Sequence, residues 1–136
     1  MPFRRSSRPA VRRILVGTDR SETAERAVRW AVDMAERYEA ELVVLQVVRD
    51  GDVPDDVDRY VEKLTGGRGR GIVRSGADPA RVIVDAAREE RVDVVVVGSV
   101  GMTGRKEFLL DNVPNRVSHN APCTVVIVQT DPETRR

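Results

Sequence analysis
The run Val92-Asp93-Val94-Val95-Val96-Val97, leading into Gly98-Ser99-Val100-Gly101, decides the fold. Its apolar residues do not alternate with polar ones, and only Asp93 interrupts them. A strand with one wet face alternates, whereas a strand covered on both faces stays apolar throughout. Three further runs share the pattern: Ile14-Leu15-Val16, residues 42–48 broken only by Gln46, and residues 124–128. Such strands point to a parallel sheet with helices on both sides.

Between these runs the apolar residues fall three and four apart. After Ser21 come Ala24, Ala27, Val28, Ala31, Ala35 and Tyr38, which paint one helix face. Ser21 is a natural N-cap, and Glu22 and Glu25 lie near the positive end of the helix. Asp78-Pro79 opens a second helix, with Asp as N-cap and Pro at the first helical position, and Val82, Ile83, Ala86 and Ala87 continue it. A short helix follows Asp111-Asn112, with Val113, Val117 and Ala121 on one face and its end at Asn120 and Pro122. The stretch 50–75 is the least legible. Residues 54–64 read as a brief helix, and Gly66, Gly67, Gly69 and Gly71 surround a weak strand near Ile72-Val73, which its glycines place at a sheet edge.

The element order is therefore β-α-β-α-β-α-β-α-β. With right-handed crossovers this gives an α/β, doubly wound, five-stranded parallel sheet. The common arrangements are the spatial order 3-2-1-4-5 of a Rossmann-like three-layer sandwich, which is the expectation here, and its flavodoxin-like relative. The 136 residues suit one domain, expected over 11–130, between a basic tail at 1–10 and a second tail at 131–136.

Composition excludes several classes of function. Lys+Arg 23 against Asp+Glu 22 gives a net charge of +1, with no global pull toward nucleic acid or acidic lipid. One Trp, two Tyr and two Phe are too few for base-stacking platforms. No apolar run is long enough to span a bilayer. Cys123 is the single cysteine, so no internal disulfide forms, which suits a reducing, cytoplasmic setting. Arg4, Arg5, Arg8, Arg12 and Arg13 crowd the amino end without the apolar stretch of a secretory signal. They read as a solvated tail or as a small basic arm for an acidic partner.

In open parallel sheets, ligands bind beyond the carboxyl ends of the strands where the winding reverses. Here that point lies between strands one and four, so the informative loops are Gly17-Thr18-Asp19-Arg20-Ser21 and Gly98-Ser99-Val100-Gly101-Met102-Thr103-Gly104. Three glycines at intervals of three let backbone N–H groups approach an anion, and the helix start at Asn112 is a further phosphate site. The spacing is neither G-x-G-x-x-G nor G-x-x-x-x-G-K-[ST], which excludes a dinucleotide fingerprint and a P-loop.

These residues resemble the universal stress protein domain. Three stretches carry the resemblance, in order. The first is Ile14-Leu15-Val16-Gly17-Thr18-Asp19-Arg20-Ser21-Glu22 with Ala27-Val28-Arg29-Trp30-Ala31. The second is Gly76-Ala77-Asp78-Pro79-Ala80. The third runs from Val94 to Val128 and includes Val97-Gly98-Ser99-Val100-Gly101, Phe108-Leu109-Leu110, Val113 to His119 and Ala121-Pro122-Cys123. ATP-binding members of that family carry G-x2-G-x9-G-[ST] after strand four. Gly98 and Gly101 match its first half, and Asp111-Asn112 stands where the second half has Gly and Ser or Thr. Asn112 caps a helix as Ser does. Asp111 adds a negative charge, and like charges about 4 Å apart repel by on the order of 4 kcal/mol at an effective dielectric of about 20. A bridging Mg²⁺ offsets that. The resemblance implies a small nucleotide-responsive domain that takes ATP. Thr18 and Asp19 would line the base and ribose side, and Val47 would offer backbone to adenine. Gly98 would face the ribose, and Ser99 next to it would belong to the same nucleotide-binding set. Gly101, Asn112 and Val113 would face the phosphates, with Asp111 beside them in the place of the family glycine; Arg105 is added on its charge alone, as a cation on the same loop near anions. It also implies a homodimer through the apolar edge strand of residues 124–128.

Other readings stand beside these. Asp19 is either a ligand residue or the cap of the following helix. His119, near a helix end, suits the dipole, and with no Cys or His cluster around it no metal or catalytic role is assigned. Cys123 and Trp30 read as packing residues. Asp111 favours a second hypothesis, a dimeric interaction module that has lost ATP. A nucleotide-cleaving enzyme would show a base–nucleophile pair, and none is visible, so at most weak ATP hydrolysis is expected. A phosphoacceptor receiver would need clustered acids after strand one and a lysine after strand five, and has neither.

Overall fold
The computed structural model describes residues 10–49, 51, 56–99 and 113–130. The tails at 1–9 and 131–136 lie outside the described residues. The elements are β1 (Arg13–Thr18), α1 (Glu22–Tyr38), β2 (Glu41–Val48), α2 (Val57–Thr65), β3 (Gly69–Ser75), α3 (Pro79–Glu90), β4 (Val94–Gly98), α4 (Val113–Asn120) and β5 (Thr124–Val128). The sheet order is β3-β2-β1-β4-β5 and every pair is parallel. The fold is the doubly wound α/β sheet expected from the alternation.

The unbroken apolar runs are explained by two separate cores. Ile14, Val16, Leu42, Val44, Val94 and Val96 point to one face and pack with buried residues of α1 and α2. Leu15, Val43, Leu45, Val95 and Val97 point to the other and pack with α3 and α4. Successive strand residues alternate faces, and both faces are dry, so both positions are apolar.

Helix α1 starts as its sequence indicates: the Ser21 side chain accepts the Ala24 N–H at 3.2 Å. It ends at Glu39, whose left-handed backbone (φ 55) returns its N–H to Ala35 and Glu36. Ala27, Val28, Ala31 and Ala35 form the buried face. Tyr38 departs from that face and is 54% exposed. Trp30 is likewise exposed, not a packing residue. Its neighbours Ala27 and Ala31 face inward while Arg29 and Trp30 face out.

The middle of the chain differs most from its reading. Helix α2 begins at Val57, capped by Asp56, and ends at Gly66 in the left-handed region. Residues 54 and 55, the start of the helix read at 54–64, lie outside the described residues. Strand β3 is seven residues long and occupies the edge. Its glycines serve close packing. A Cβ on Gly71 would stand 2.8 Å from both methyls of Val57 on α2. Overpacking of this kind costs about 1–2 kcal/mol, so Gly71→Ala lowers unfolding free energy by that amount in urea titration, with an unchanged slope.

At the amino ends of the strands, Glu41 joins β1 to β3. It accepts from Arg13 Nε at 2.8 Å and Arg70 Nε at 3.1 Å, and Arg70 also reaches Glu90 at 2.5 Å. Glu90 holds the Arg70 cation above its usual range, with Glu41 assisting against the cost of burial.

Candidate functional site
The candidate site is the edge of the sheet where β1 and β4, neighbours in the sheet, run out at their carboxyl ends, the place where a doubly wound sheet takes ligands. Register pairs Val16 with Val96, which puts Thr18 beside Gly98. Thr18 is fully buried, and its Oγ1 accepts the Arg20 N–H at 2.9 Å. Asp19 Oδ1 accepts the Ser21 N–H at 2.9 Å. The cap of α1 is therefore Ser21, and Asp19 shapes the turn before it. Arg20 lies at φ 68. A non-glycine residue in that region costs about 1–2 kcal/mol, and such strain collects where a loop must hold a set shape.

Residues of α1 and α2 secure this loop. The Arg20 guanidinium lies 3.6 Å from the Tyr60 ring centre, and Tyr60 donates its hydroxyl to Glu25 at 2.7 Å. Burial, followed by the hydrogen bond to Glu25, pushes the Tyr60 phenol above its usual range. Sequence reading missed Tyr60. The signal was there: Val57, Tyr60, Val61 and Leu64 have the spacing of an inward helix face. Gln46, the register partner of Thr18, is buried, and its Oε1 has no hydrogen-bond donor among the described residues.

On the β4 side, Gly98 ends the strand against Thr130. A Cβ there would meet Thr130 Cγ2 and Oγ1 at 3.0 Å. Ser99 is fully engaged with the β5 side. Its N–H donates to Val128 O at 2.7 Å, its hydroxyl contacts Gln129 Oε1 at 2.6 Å, and its Oγ accepts the Thr130 N–H at 3.0 Å. Val47 packs against the second core, as does Val113, the first residue of α4. Thr18, Asp19, Gly98 and Ser99 thus share one end of two adjacent strands, with Val47 one strand away and Val113 on the helix that follows. Gly101, Arg105, Asp111 and Asn112, named from sequence as phosphate-facing, lie outside the described residues.

Helices α3 and α4 are joined by one strong pair. Arg116 donates from both terminal nitrogens to both Asp78 oxygens at 2.7 Å. Asp78 occupies the N-cap position of α3, but its side chain makes no cap hydrogen bond. The bidentate ionic pair with Arg116 engages both carboxylate oxygens and is stronger than a single cap bond. The same guanidinium holds the Asp78 carboxyl below its ordinary value. A depressed carboxylate pKa stabilises above the unfolded value and is lost as pH falls through the folded one. Asp78→Asn should therefore cost about 0.5–1 kcal/mol at neutral pH, since both side chains are over a third exposed. The difference between native and variant should vanish below the native pKa, as read by thermal unfolding across pH 2–7.

Cys123 is half-buried, and burial, then the charge of Asp93, pushes its thiol up. His119 is exposed in the last turn of α4. Among the described residues no cluster of three or more His, Cys, Asp or Glu could hold a metal, and no helix is long and apolar enough to cross a membrane.

A doubly wound sheet whose winding reverses between β1 and β4 defines a class of small α/β domains that take ligands beyond the carboxyl ends of those strands. Comparison with known proteins narrows it. The family model described as the universal stress protein family matches residues 10–64 and 58–129. A universal stress protein of Methanothermobacter thermautotrophicus is 35% identical over 144 residues, covering 88% of this chain and 96% of that one. Universal stress protein YxiE of Bacillus subtilis is 28% identical over 145 residues, covering 86% and 98%. A crystal structure of a universal stress protein in complex with cAMP superposes with a TM-score of 0.75 at 26% identity, covering 90% of this chain and all of that one. The chain belongs to the universal stress protein family.

Proposed function
We propose that this chain is a regulatory protein that binds an adenine nucleotide at the carboxyl ends of β1 and β4, and that it works in the cytoplasm as a homodimer. The observation that carries the reading is the likeness, across nine-tenths of the chain, to a universal stress protein in complex with cAMP. Those strand ends lie where a doubly wound sheet takes ligands. In this reading Thr18 and Asp19 line the base and ribose side, and Val47 offers backbone to adenine. Gly98 faces the ribose, with Ser99 supporting it from behind through Gln129 and Thr130. Gly101, Arg105, Asn112 and Val113 meet the phosphates, with Asp111 taking Mg²⁺ where the ligand is ATP. Binding, not turnover, is the activity. The interaction module without nucleotide is favoured by one feature: Asp111-Asn112 in place of Gly followed by Ser or Thr.

Calorimetric titration with ATP and Mg²⁺, and with cAMP, tests both readings against an Asp111→Gly variant. Saturable binding by the native chain supports the nucleotide reading. Binding by the variant alone favours the interaction module, and binding by neither sinks the nucleotide site.

The dimer is proposed through β5, an edge strand with Ile127 47% exposed and no lysine or proline along it. Such an edge pairs readily with another chain. Sedimentation equilibrium should give a two-chain mass for the native protein and a one-chain mass for Ile127→Lys. A native monomer overturns the dimer.

A further inference from the structure
The loop that carries Thr18 and Asp19 is held from outside by a second helix. Arg20 has the left-handed backbone that a side-chain-bearing residue keeps only where its surroundings over-determine it. Thr18 Oγ1 fixes its N–H at 2.9 Å, and the Tyr60 ring fixes its guanidinium 3.6 Å from the ring centre. A planar guanidinium on an aromatic face is attracted by the ring's negative face and stacks against it. The ring is pinned in turn, because its hydroxyl donates to Glu25 at 2.7 Å to Oε1 and 2.5 Å to Oε2. Glu25 stands in the first turn of α1, and Tyr60 in the first turn of α2 against the first core. Contacts therefore run from α1 through Glu25, Tyr60 and Arg20 back to the loop that starts α1. None of these three residues was named as ligand-facing.

We propose that Tyr60 and Glu25 are positioning residues: the Arg20–Tyr60–Glu25 stack holds the β1–α1 loop, with Thr18 and Asp19, in the shape that receives an adenine nucleotide. The inference rests on the nucleotide reading above. A loop ordered before binding loses less entropy on binding. Without the ring, Arg20 relaxes toward the right-handed backbone that side-chain-bearing residues prefer, and Thr18 and Asp19 turn with it.

The test is a set of calorimetric titrations with ATP and Mg²⁺, and with cAMP. They use the native chain, Tyr60→Leu, Tyr60→Phe, Arg20→Gly and the Tyr60→Leu/Arg20→Gly double variant, each shown folded by circular dichroism. Tyr60→Leu should weaken binding about tenfold, because ordering the loop then falls on the binding step. Tyr60→Phe keeps the ring under Arg20 but loses the bond to Glu25, so it should weaken binding only about threefold, the share that Glu25 supplies by pinning the ring, a partial rescue that a simple loss of α2 packing does not predict. Arg20→Gly removes the guanidinium and frees the backbone to sample both signs of φ, so nothing holds the loop in one shape before binding. It should bind as weakly as Tyr60→Leu, and the double variant no more weakly than either single, because residues acting through one another are not additive. Tyr60→Leu binding like the native chain overturns the stack and leaves the nucleotide reading intact. Additive losses in the double variant overturn it too, by making Arg20 an independent ligand contact. A native chain that binds neither nucleotide overturns the reading and the inference with it. If Tyr60→Leu does not fold, Arg20→Gly against the native chain decides alone, with equal affinity as the overturning result.

Discussion

Truncating Leu15 to alanine lowers the free energy of unfolding by about 3–4 kcal/mol in urea titration. Leu15 is fully buried in the middle of β1, the central strand, with β2 on one side and β4 on the other. Its side chain belongs to the second core and meets the face built by Val43, Val95, Ile83 and Ala87. The site cannot collapse easily. Its walls are two strands locked by register and a helix that packs through small residues, Ala80, Ala86 and Ala87. Rigid surroundings leave a truncation near the upper part of the usual range, since the lost transfer energy and the cavity both count. Ile127→Ala is the control. It removes a branched side chain nearly half exposed on β5, and in the isolated chain it should change stability by no more than about 0.5 kcal/mol. A Leu15→Ala loss below about 1 kcal/mol would show that the α3 face moves in to fill the space.

The same two-faced burial decides what the sequence disclosed. Strands β1, β2, β4 and β5 were legible because each lies between helix layers or close to them, and the double core writes an unbroken apolar run into the chain. Strand β3 was barely legible because α2 approaches it so closely that Gly69 and Gly71 stand where branched residues would otherwise mark a strand. Ser21 was legible as a cap because capping is local. Asp78 was legible as a helix start, but its partner, Arg116, lies 38 residues on, beyond the reach of local pattern. The candidate site divides along the same line. Thr18, Asp19 and Gly98 were named because topology places ligands at the ends of β1 and β4, and the structure brings them together there; that they touch a nucleotide is the proposal. The helix spacing could have placed Tyr60 on an inward face, but its contacts with Arg20 and Glu25 were out of reach, because a stack across 35 residues of sequence leaves no motif. Ser99 was found in place, yet its hydroxyl turns to Gln129 and Thr130, contacts visible only after β4 and β5 are paired.

The last prediction concerns the single polar break in the stretch that decides the fold. Asp93→Ala should lower unfolding free energy by about 2 kcal/mol, and Asp93→Asn should recover part of it. Asp93 Oδ2 accepts the backbone N–H of Arg12 at 2.8 Å and of Arg13 at 3.0 Å, and the Asp93 N–H donates to Arg13 O at 2.9 Å. One residue thus ties the entry of β4 to the entry of β1, the two strands whose far ends frame the candidate site. Hydrogen bonds to a charged acceptor contribute about 1.5–3 kcal/mol each. The Arg12 N–H is exposed, so water replaces the lost acceptor there; the Arg13 N–H is partly buried and bears most of the loss. A second readout separates the charge from the hydrogen bonds. Burial is the larger cause of the raised Cys123 thiol and persists in the variant, while the charge of Asp93 is the smaller cause and disappears. Both Asp93→Ala and Asp93→Asn should therefore lower the thiol pKa, toward its ordinary value but not to it, and speed alkylation at pH 8 through a larger thiolate fraction. Equal stability losses in the two variants would assign the whole effect to charge. A recovery in Asp93→Asn with faster alkylation in both would show that the carboxylate stands in an apolar run as an acceptor for the central strand.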